Sequence, residues 1–212
     1  MTDPGAAKAA RDLIALAGPD LVHITSAANV ETIKARGLVS AHALCVGAGV
    51  NPDRIALRRD RRVVGTAVLG HQRPILNGLR AANHVIDGYN AHGWAMQLDK
   101  RVFFWPAAQG ARFGRALGQG GSVARLVFDT AQLASALAPL IDLSPINSGN
   151  FTQGGAHARR GDWLYVPLTA GCAAFRENRR VRGRDALREV SLRGSVPPDL
   201  VQSALRAVEL CP

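Results

Sequence analysis

Hydrophobic and polar positions follow two different periods in the first part of the chain. In Ala6–Ala17, the side chains of Leu13, Ile14 and Leu16 are spaced as on one side of a helix. In Leu21–Thr25, alternate residues fall on opposite faces, which is typical of a strand. The chain is therefore predicted to open with a helix followed by a strand.

A short helix is predicted over Asn29–Arg36. Asn29 is suited to the N-cap, where its side-chain oxygen would accept from a free backbone N–H group. Gly37 is placed to end the helix in the left-handed conformation. Leu38 would then contact Ile33, as in a Schellman ending.

The later pattern alternates between short strands and helices. Strands are predicted at Val63–Leu69, Val102–Trp105, Leu126–Phe128, Trp163–Val166 and Leu187–Leu192. Helices are predicted at Pro74–Val85, at Thr130–Leu140 and from Pro198 onward, with Val201, Ala204, Leu205 and Val208 on the buried side. We expect the arginine-rich stretches Arg58–Arg62 and Phe175–Asp185 to be exposed, Gly110–Gly121 to be mobile and Ser144–Gly155 to be a loop. This order of elements favours an α+β fold, in one domain of residues 1–212.

Composition adds an expectation about partners. Apolar residues make up 47% of the chain, enough to build a core. Lysine and arginine number 26 against 16 acidic residues, a formal net charge of +10. Such a field attracts polyanions, nucleic acid first and an anionic membrane surface second. A merely arginine-rich, solvated surface would give the same count.

Several classes of protein lack support in the sequence. The three cysteines, Cys45, Cys172 and Cys211, are widely spaced and outside any CxxC, which argues against a disulfide framework and a zinc site. P-loop, GxGxxG, GxSxG and HExxH motifs are missing. No run approaches the roughly 18–20 apolar residues of a membrane span, and Met1–Leu21 lacks the pattern of a signal peptide. We expect a cytoplasmic protein without a metal or a membrane partner.

Two polar side chains share one face of the first predicted strand, and a carboxylate lies in the last one. His23 and Thr25 are two residues apart and point the same way. A strand histidine by itself is more often a core or surface residue. Glu189 lies where strand propensity disfavours glutamate, so it belongs either to an edge strand or to a functional cleft.

The loop Ser144–Asn150 is a third candidate. Asn147 and Ser148, next to Gly149, offer hydrogen bonds to a phosphate or a ribose. Ordinary turns have the same composition.

These residues resemble a known family. The segment from Leu21 to Ser40 is similar to the opening motif of DarT-type DNA ADP-ribosyltransferases, namely His23-x-Thr25, Asn29, Ile33 and Gly37-Leu38. Arg188–Leu200 resembles the Glu-bearing strand and Val-Pro turn of that family, and Val102–Pro106 its central aromatic strand. The middle of the chain, with Gln72-Arg73-Pro74 and Ser144–Gly149, looks more like an uncharacterised sister family.

The resemblance implies a fold and a reaction. The fold would be an ADP-ribosyltransferase-like split antiparallel sheet with flanking helices. The substrate would be NAD, whose bond between ribose and nicotinamide breaks through an oxocarbenium-like transition state. The Glu189 carboxylate would stabilise the developing positive charge, with His23 as its catalytic partner.

The resemblance also implies a set of cofactor-binding residues. His23 and Thr25 would hydrogen-bond NAD, and Asn29 would help to hold it. Phe103, Phe104 or Trp105 would stack on nicotinamide or form the wall of its pocket, and Asn147 and Ser148 would bind NAD from their loop. The family places an arginine after the proline of the aromatic strand, where this chain has Ala107, Ala108 and Gln109, so Arg73 or Arg112 would have to replace it.

The acceptor implied is nucleic acid, single-stranded DNA or RNA, which fits the positive charge, and an antitoxin would be a further partner. Other interpretations remain open. The acceptor could be a protein, a small molecule or water. The chain could be a non-enzymatic nucleic-acid-binding module on a degenerate transferase fold. An RNA 2′-phosphotransferase, which shares a His-bearing first strand, is a third alternative.

Overall fold

The computed structural model describes residues 4–109, 122–152, 158–181 and 186–211. Its helices are α1 Pro4–Ala17, α2 Val30–Arg36, α3 Ala41–Gly47, α4 Arg73–Asn77, α5 Leu79–Val85, α6 Ala91–Asp99, α7 Thr130–Leu137, α8 Gly171–Val181 and α9 Pro198–Ala204. Its strands are β1 Asp20–Ser26, β2 Arg62–Val64, β3 Ala67–Leu69, β4 Arg101–Pro106, β5 Val123–Asp129, β6 Ile141–Ser144, β7 Val166–Pro167, β8 Glu189–Arg193 and β9 Leu205–Cys211. Arg112 and the glycine-rich segment Gly110–Gly121 lie outside the described residues.

Seven strands form one sheet in the order β7-β6-β8-β4-β1-β5-β9, and β2 and β3 form a separate hairpin. Every pairing in both sheets is antiparallel. Together with the helices, this confirms the α+β prediction.

The large sheet divides in its middle, between β1 and β4. Strand β1 pairs with β5 along its whole length, from Asp20 to Ser26. With β4 it pairs only at Leu21 and Val22. Strand β4 instead follows β8. The two halves of the sheet therefore diverge beyond Val22 and leave an opening beside His23.

The main core covers one face of the sheet. Helices α1, α2, α7 and α9 place apolar side chains against the strands, with Leu13, Ile33, Leu133, Val201 and Phe128 among its buried members. A second core surrounds Trp94 of α6 and includes Phe151, Leu164 and Tyr165. Burial of these side chains supplies the dominant favourable free energy of folding and fixes both walls of the opening.

Some predicted elements have different boundaries in the structure. The predicted strand Val63–Leu69 is the hairpin of β2 and β3, because Gly65 at φ +58° reverses the chain. The predicted helix Pro74–Val85 is two helices that meet at Gly78. A Cβ on Gly78 would lie 2.3 Å from the carbonyl oxygen of Phe151, so this backbone crossing requires glycine.

The predictions near the C-terminus were also partly wrong. The last helix ends at Ala204, and Leu205 and Val208 belong to β9 rather than to a helix face. Strand β9 covers the open edge of β5, whose backbone groups need partners. The predicted strand Trp163–Val166 is a 3-10 turn followed by the two-residue β7.

The predicted N-cap of α2 was wrong, whereas its predicted end at Gly37 was correct in part. The Gly37 N–H donates to the Ile33 carbonyl at 2.9 Å and closes the helix. Asn29 has helical backbone angles and makes no capping bond. Gly37 does have a positive φ of +88°, but the N–H of Leu38 donates to the carbonyl of Val196 instead of turning back to the helix. This bridge ties the end of α2 to the segment after β8.

Candidate functional site

A cavity of about 1170 Å³ lies at the division of the sheet. That exceeds the roughly 300–1,000 Å³ of a typical small-molecule pocket. Its walls come from the end of β1, from α2, from the β2–β3 hairpin, from β4 and from the loop after β6. Of the residues that the sequence indicated, its lining includes His23, Thr25, Asn29, Phe103, Asn147, Ser148 and Glu189.

His23 lies where β1 leaves β4. Its Nδ1 is 2.8 Å from the carbonyl oxygen of Phe103. A carbonyl only accepts, so Nδ1 donates and carries the proton. Burial lowers the pKa of His23 to about 4, although the bond to Phe103 opposes this. At neutral pH the ring is therefore uncharged, and its Nε2 lone pair is the acceptor left for a ligand.

Asn29 connects β1 to the hairpin. Its Nδ2 donates to Thr25 Oγ1 at 2.9 Å and to the Val68 carbonyl at 2.8 Å, and its Oδ1 accepts from Val68 N–H at 2.7 Å. Both amide protons are thus engaged within the protein. Asn29 shapes the wall of the cavity, while the hydroxyl proton of Thr25 remains a donor.

Glu189 opens β8, an interior strand between β6 and β4, so the edge-strand interpretation is wrong. Only 2% of the residue is exposed. Ser148 Oγ donates to Glu189 Oε1 at 2.6 Å, and Ser148 N–H lies 3.3 Å from both carboxylate oxygens. Burial raises the pKa of Glu189 to about 7, against the lowering effect of the bonds from Ser148.

The loop that carries Ser148 is held in place by hydrogen bonds to its backbone carbonyls. The Ser148 carbonyl accepts from Trp94 Nε1 at 3.1 Å and from Arg160 Nε at 3.0 Å. Arg160 is fully buried, lies over the Phe151 ring and also donates to the carbonyl of Asn150. These bonds fix the loop, and the loop fixes the direction of the Glu189 carboxylate.

A buried ion pair forms another wall. The Arg58 guanidinium donates to both carboxylate oxygens of Asp99, at 2.6 and 3.1 Å, and Gln72 Nε2 donates to the same carboxylate. Arg58 also donates to the Gly70 carbonyl at the end of the hairpin. The expectation that Arg58 is exposed was wrong, because it anchors the hairpin to α6.

Two of the sequence candidates lie elsewhere. Side chains of β4 alternate, so Phe103 and Trp105 face the cavity while Phe104 packs in the main core against Phe128. Arg73 lies outside the lining and donates to Asp60 at 2.7 Å.

Other arginines reach the cavity. Arg36 at the end of α2, Arg61 before β2 and Arg188 before β8 join Arg58, Arg101 and Arg160 in the lining. The acidic lining residues are Asp99 and Glu189. The cavity is therefore cationic and suited to an anionic ligand.

No pattern in the sequence indicated Arg160 or Asp99. Neither belongs to a motif, and both gain their place through contacts with residues far along the chain. For Arg36 and Arg188 the sequence offered a weak sign of a place in the site, since they directly precede the motif residues Gly37 and Glu189.

Fold and site together define a mixed α+β protein with a cationic cavity at the division of an antiparallel sheet. Residues 19–202 match the family of unknown function DUF7002, and the chain belongs to that family. The match spans every residue that lines the cavity.

The chain matches no curated protein. In the part of the chain that the structure describes, the helices are too short or too polar to cross a membrane.

Proposed function

We propose that the chain is an NAD-dependent ADP-ribosyltransferase and that its acceptor is nucleic acid. The observation that carries the proposal is the placement of His23 and Thr25 on one half of the divided sheet and Glu189 on the other, in a single cavity. The sequence resemblance assigns roles to these three residues, and the cavity gives them a common ligand space.

Glu189 fits the role of stabilising an oxocarbenium-like ribose. Its carboxylate is buried and held by Ser148, so its direction is fixed before a ligand arrives. A preorganised negative charge in a low-dielectric site stabilises a developing positive charge most effectively.

The opposite wall fits NAD binding. His23 offers an acceptor at Nε2 and Thr25 a hydroxyl donor, which suit the hydroxyl and amide groups of a nucleotide. Phe103 and Trp105 supply apolar surface for a ring. Arg36, Arg61 and Arg188 are candidates to hold the pyrophosphate, in place of the arginine that the related family carries after the proline.

The test is release of nicotinamide from NAD by the purified protein, with and without single-stranded DNA or RNA. In Glu189→Gln we expect a loss of about 10²- to 10³-fold in turnover, because the transition state loses its counter-charge. Glu177→Gln is the matched control, since Glu177 is exposed on α8 and outside the cavity lining.

In the active protein, kcat/KM should rise with pH around pH 7, as Glu189 becomes a carboxylate.

The acceptor is identified from the same assay. Turnover that requires nucleic acid supports the transferase, and nicotinamide release without an acceptor indicates a glycohydrolase. Equal activity of Glu189→Gln and the parent protein would contradict the proposal.

A second function, a nucleic-acid-binding module without catalysis, has one observation in its favour. Where the related family has an arginine after the proline, this chain has Ala107, Ala108 and Gln109, and the Gln109 side chain donates to the Leu187 carbonyl. This alternative predicts no binding of NAD in a titration, together with nucleic-acid binding that survives Glu189→Gln.

A further inference from the structure

Half of the net positive charge of the chain belongs to a segment of 20 residues. From Arg54 to Arg73 the sequence holds six arginines and one aspartate, a balance of +5 within a total of +10. The segment contains β2 and β3, and β3 lines the cavity.

The arginines around Asp60 lie close together. Arg73 Nη2 donates to Asp60 Oδ1 at 2.7 Å, and Arg73 Nε donates to the Arg59 carbonyl at 2.9 Å. The bond from Arg73 lowers the pKa of Asp60, and the positive charges of Arg59 and Arg62 add to this effect. Arg59 and Arg62 are exposed. One acidic side chain thus lies among three arginines.

Two arginines of the same segment, Arg58 and Arg61, line the cavity. The pKa of His71 is lowered, first by burial and then by the charges of Arg73, Arg61 and Arg58. His71 and Arg61 both line the cavity. Arg58 pairs with Asp99, and Arg73 pairs with Asp60. Arg59, Arg61, Arg62 and Arg73 form a basic surface beside the cavity, which Arg61 lines.

We propose that this basic surface binds the phosphate backbone of single-stranded nucleic acid and so leads a base into the cavity. The inference rests on the proposed function, to which it adds the place where the acceptor enters. A polyanion fits because the surface carries one carboxylate, Asp60, against four guanidinium groups.

Single strands are favoured over duplexes by the depth of the site. Glu189 lines the cavity and is only 2% exposed. A base stacked in a duplex could not approach it, whereas an unpaired base can leave its stack at small cost. The β3 residues Ala67–Leu69 line the cavity, so a nucleic-acid backbone held on the hairpin lies beside the cavity.

An anionic membrane fits this surface less well. Membrane-surface binding needs an apolar face beside the cationic one. Among the exposed large hydrophobic residues of the described chain, Val63 at 74% exposure is the one that lies within the basic segment.

The test is fluorescence anisotropy of a labelled single-stranded oligodeoxynucleotide, titrated without NAD over a series of salt concentrations. If Arg59 and Arg62 each neutralise one phosphate, together they contribute about −1.4 to the slope of log K against log salt, since each contact on a single strand contributes about −0.7. The double variant Arg59→Gln/Arg62→Gln should reduce the magnitude of the slope by about 1.4. With equal affinities of variant and parent at about 1 M salt, this change makes the variant bind roughly 25-fold more weakly than the parent at about 0.1 M salt.

The matched control is Arg11→Gln/Arg176→Gln. It removes the same charge from exposed positions of α1 and α8, two helices that pack against each other, and neither residue lines the cavity. All four positions are exposed, so both double variants should fold.

Slopes that separate the two double variants as stated support the proposal. Equal weakening by both would overturn it in favour of a diffuse effect of net charge. Binding to phosphatidylserine-containing vesicles without binding to the oligonucleotide would also overturn it. Because this titration needs no NAD, its result is independent of whether the protein turns over NAD.

Discussion

His23 illustrates how one hydrogen bond determines what a residue can offer to a ligand. The Phe103 carbonyl fixes the proton on Nδ1 and leaves Nε2 as an acceptor. The sequence placed His23 and Thr25 on one strand face correctly. It did not reveal the tautomer, because Phe103 lies 80 positions away along the chain.

The two ring nitrogens can be tested separately. His23→Asn places an amide N–H where Nδ1 donates and removes the Nε2 acceptor, whereas His23→Ala removes both. We expect both variants to bind NAD at least about tenfold more weakly, the loss of one hydrogen bond from a buried site. The measurement is isothermal titration with NAD.

The free energy of unfolding should differ between these two variants. His23→Asn should unfold close to the parent protein in urea, while His23→Ala should be less stable because the Phe103 carbonyl loses its donor. Undiminished NAD affinity in His23→Asn would contradict a ligand-binding role for Nε2.

At the scale of elements, the side chain of Asn29 holds strand β3 of the hairpin. Asn29 pairs with both backbone groups of Val68, much as a neighbouring strand would. From the sequence, Asn29 was predicted to be a helix N-cap, because asparagine is strongly preferred at that position. Because the hairpin was not predicted, the sequence analysis had no reason to expect that Asn29 would bond the backbone groups of Val68.

Removal of this side chain should loosen the hairpin. In Asn29→Ala, the N–H and carbonyl of Val68 both lose their partner, which should lower the free energy of unfolding by roughly 1–3 kcal/mol. Urea denaturation measures this change. Asn83→Ala, at an exposed position of α5, should differ little from the parent protein. Equal stability of Asn29→Ala and the parent would show that the hairpin is held by Arg58 alone.

At the scale of the whole molecule, Glu189 links stability to pH. Its pKa is raised from an ordinary value of 4.5 to about 7, so the folded protein keeps a proton that the unfolded chain has already released. Between these two values, the folded state binds more protons, and a rise in pH therefore favours unfolding. At about 1.4 kcal/mol per pKa unit, the loss amounts to roughly 3 kcal/mol above pH 7.

Glu189→Gln isolates this contribution because glutamine cannot ionise. The stability of the variant relative to the parent should increase by roughly 3 kcal/mol between about pH 4 and pH 8. His23, whose lowered pKa destabilises the folded state as pH falls, is present in both proteins and cancels. Denaturation at a series of pH values measures the difference. A difference that stays constant with pH would show that Glu189 is an ordinary, solvated carboxylate.

The sequence by itself determined the local features of this protein. Period-two alternation predicted β1 and β8, short apolar runs predicted β4 and β5, and helical spacing predicted α1, because these patterns depend on neighbours within a few residues. The paired position of His23 and Thr25 follows from the same rule.

Contacts between distant segments decided the rest. Phe103 and Phe104 are adjacent in sequence and point to opposite faces of β4. Only the position of the main core on one of these faces shows that Phe104 is the core residue and that Phe103 faces the cavity. Glu189 is an interior rather than an edge residue because the unpredicted strand β6 pairs beside it. Burial, pairing and pKa depend on what surrounds a group in space, and for Ser148, Arg160 and Glu189 only the tertiary structure supplies that neighbourhood.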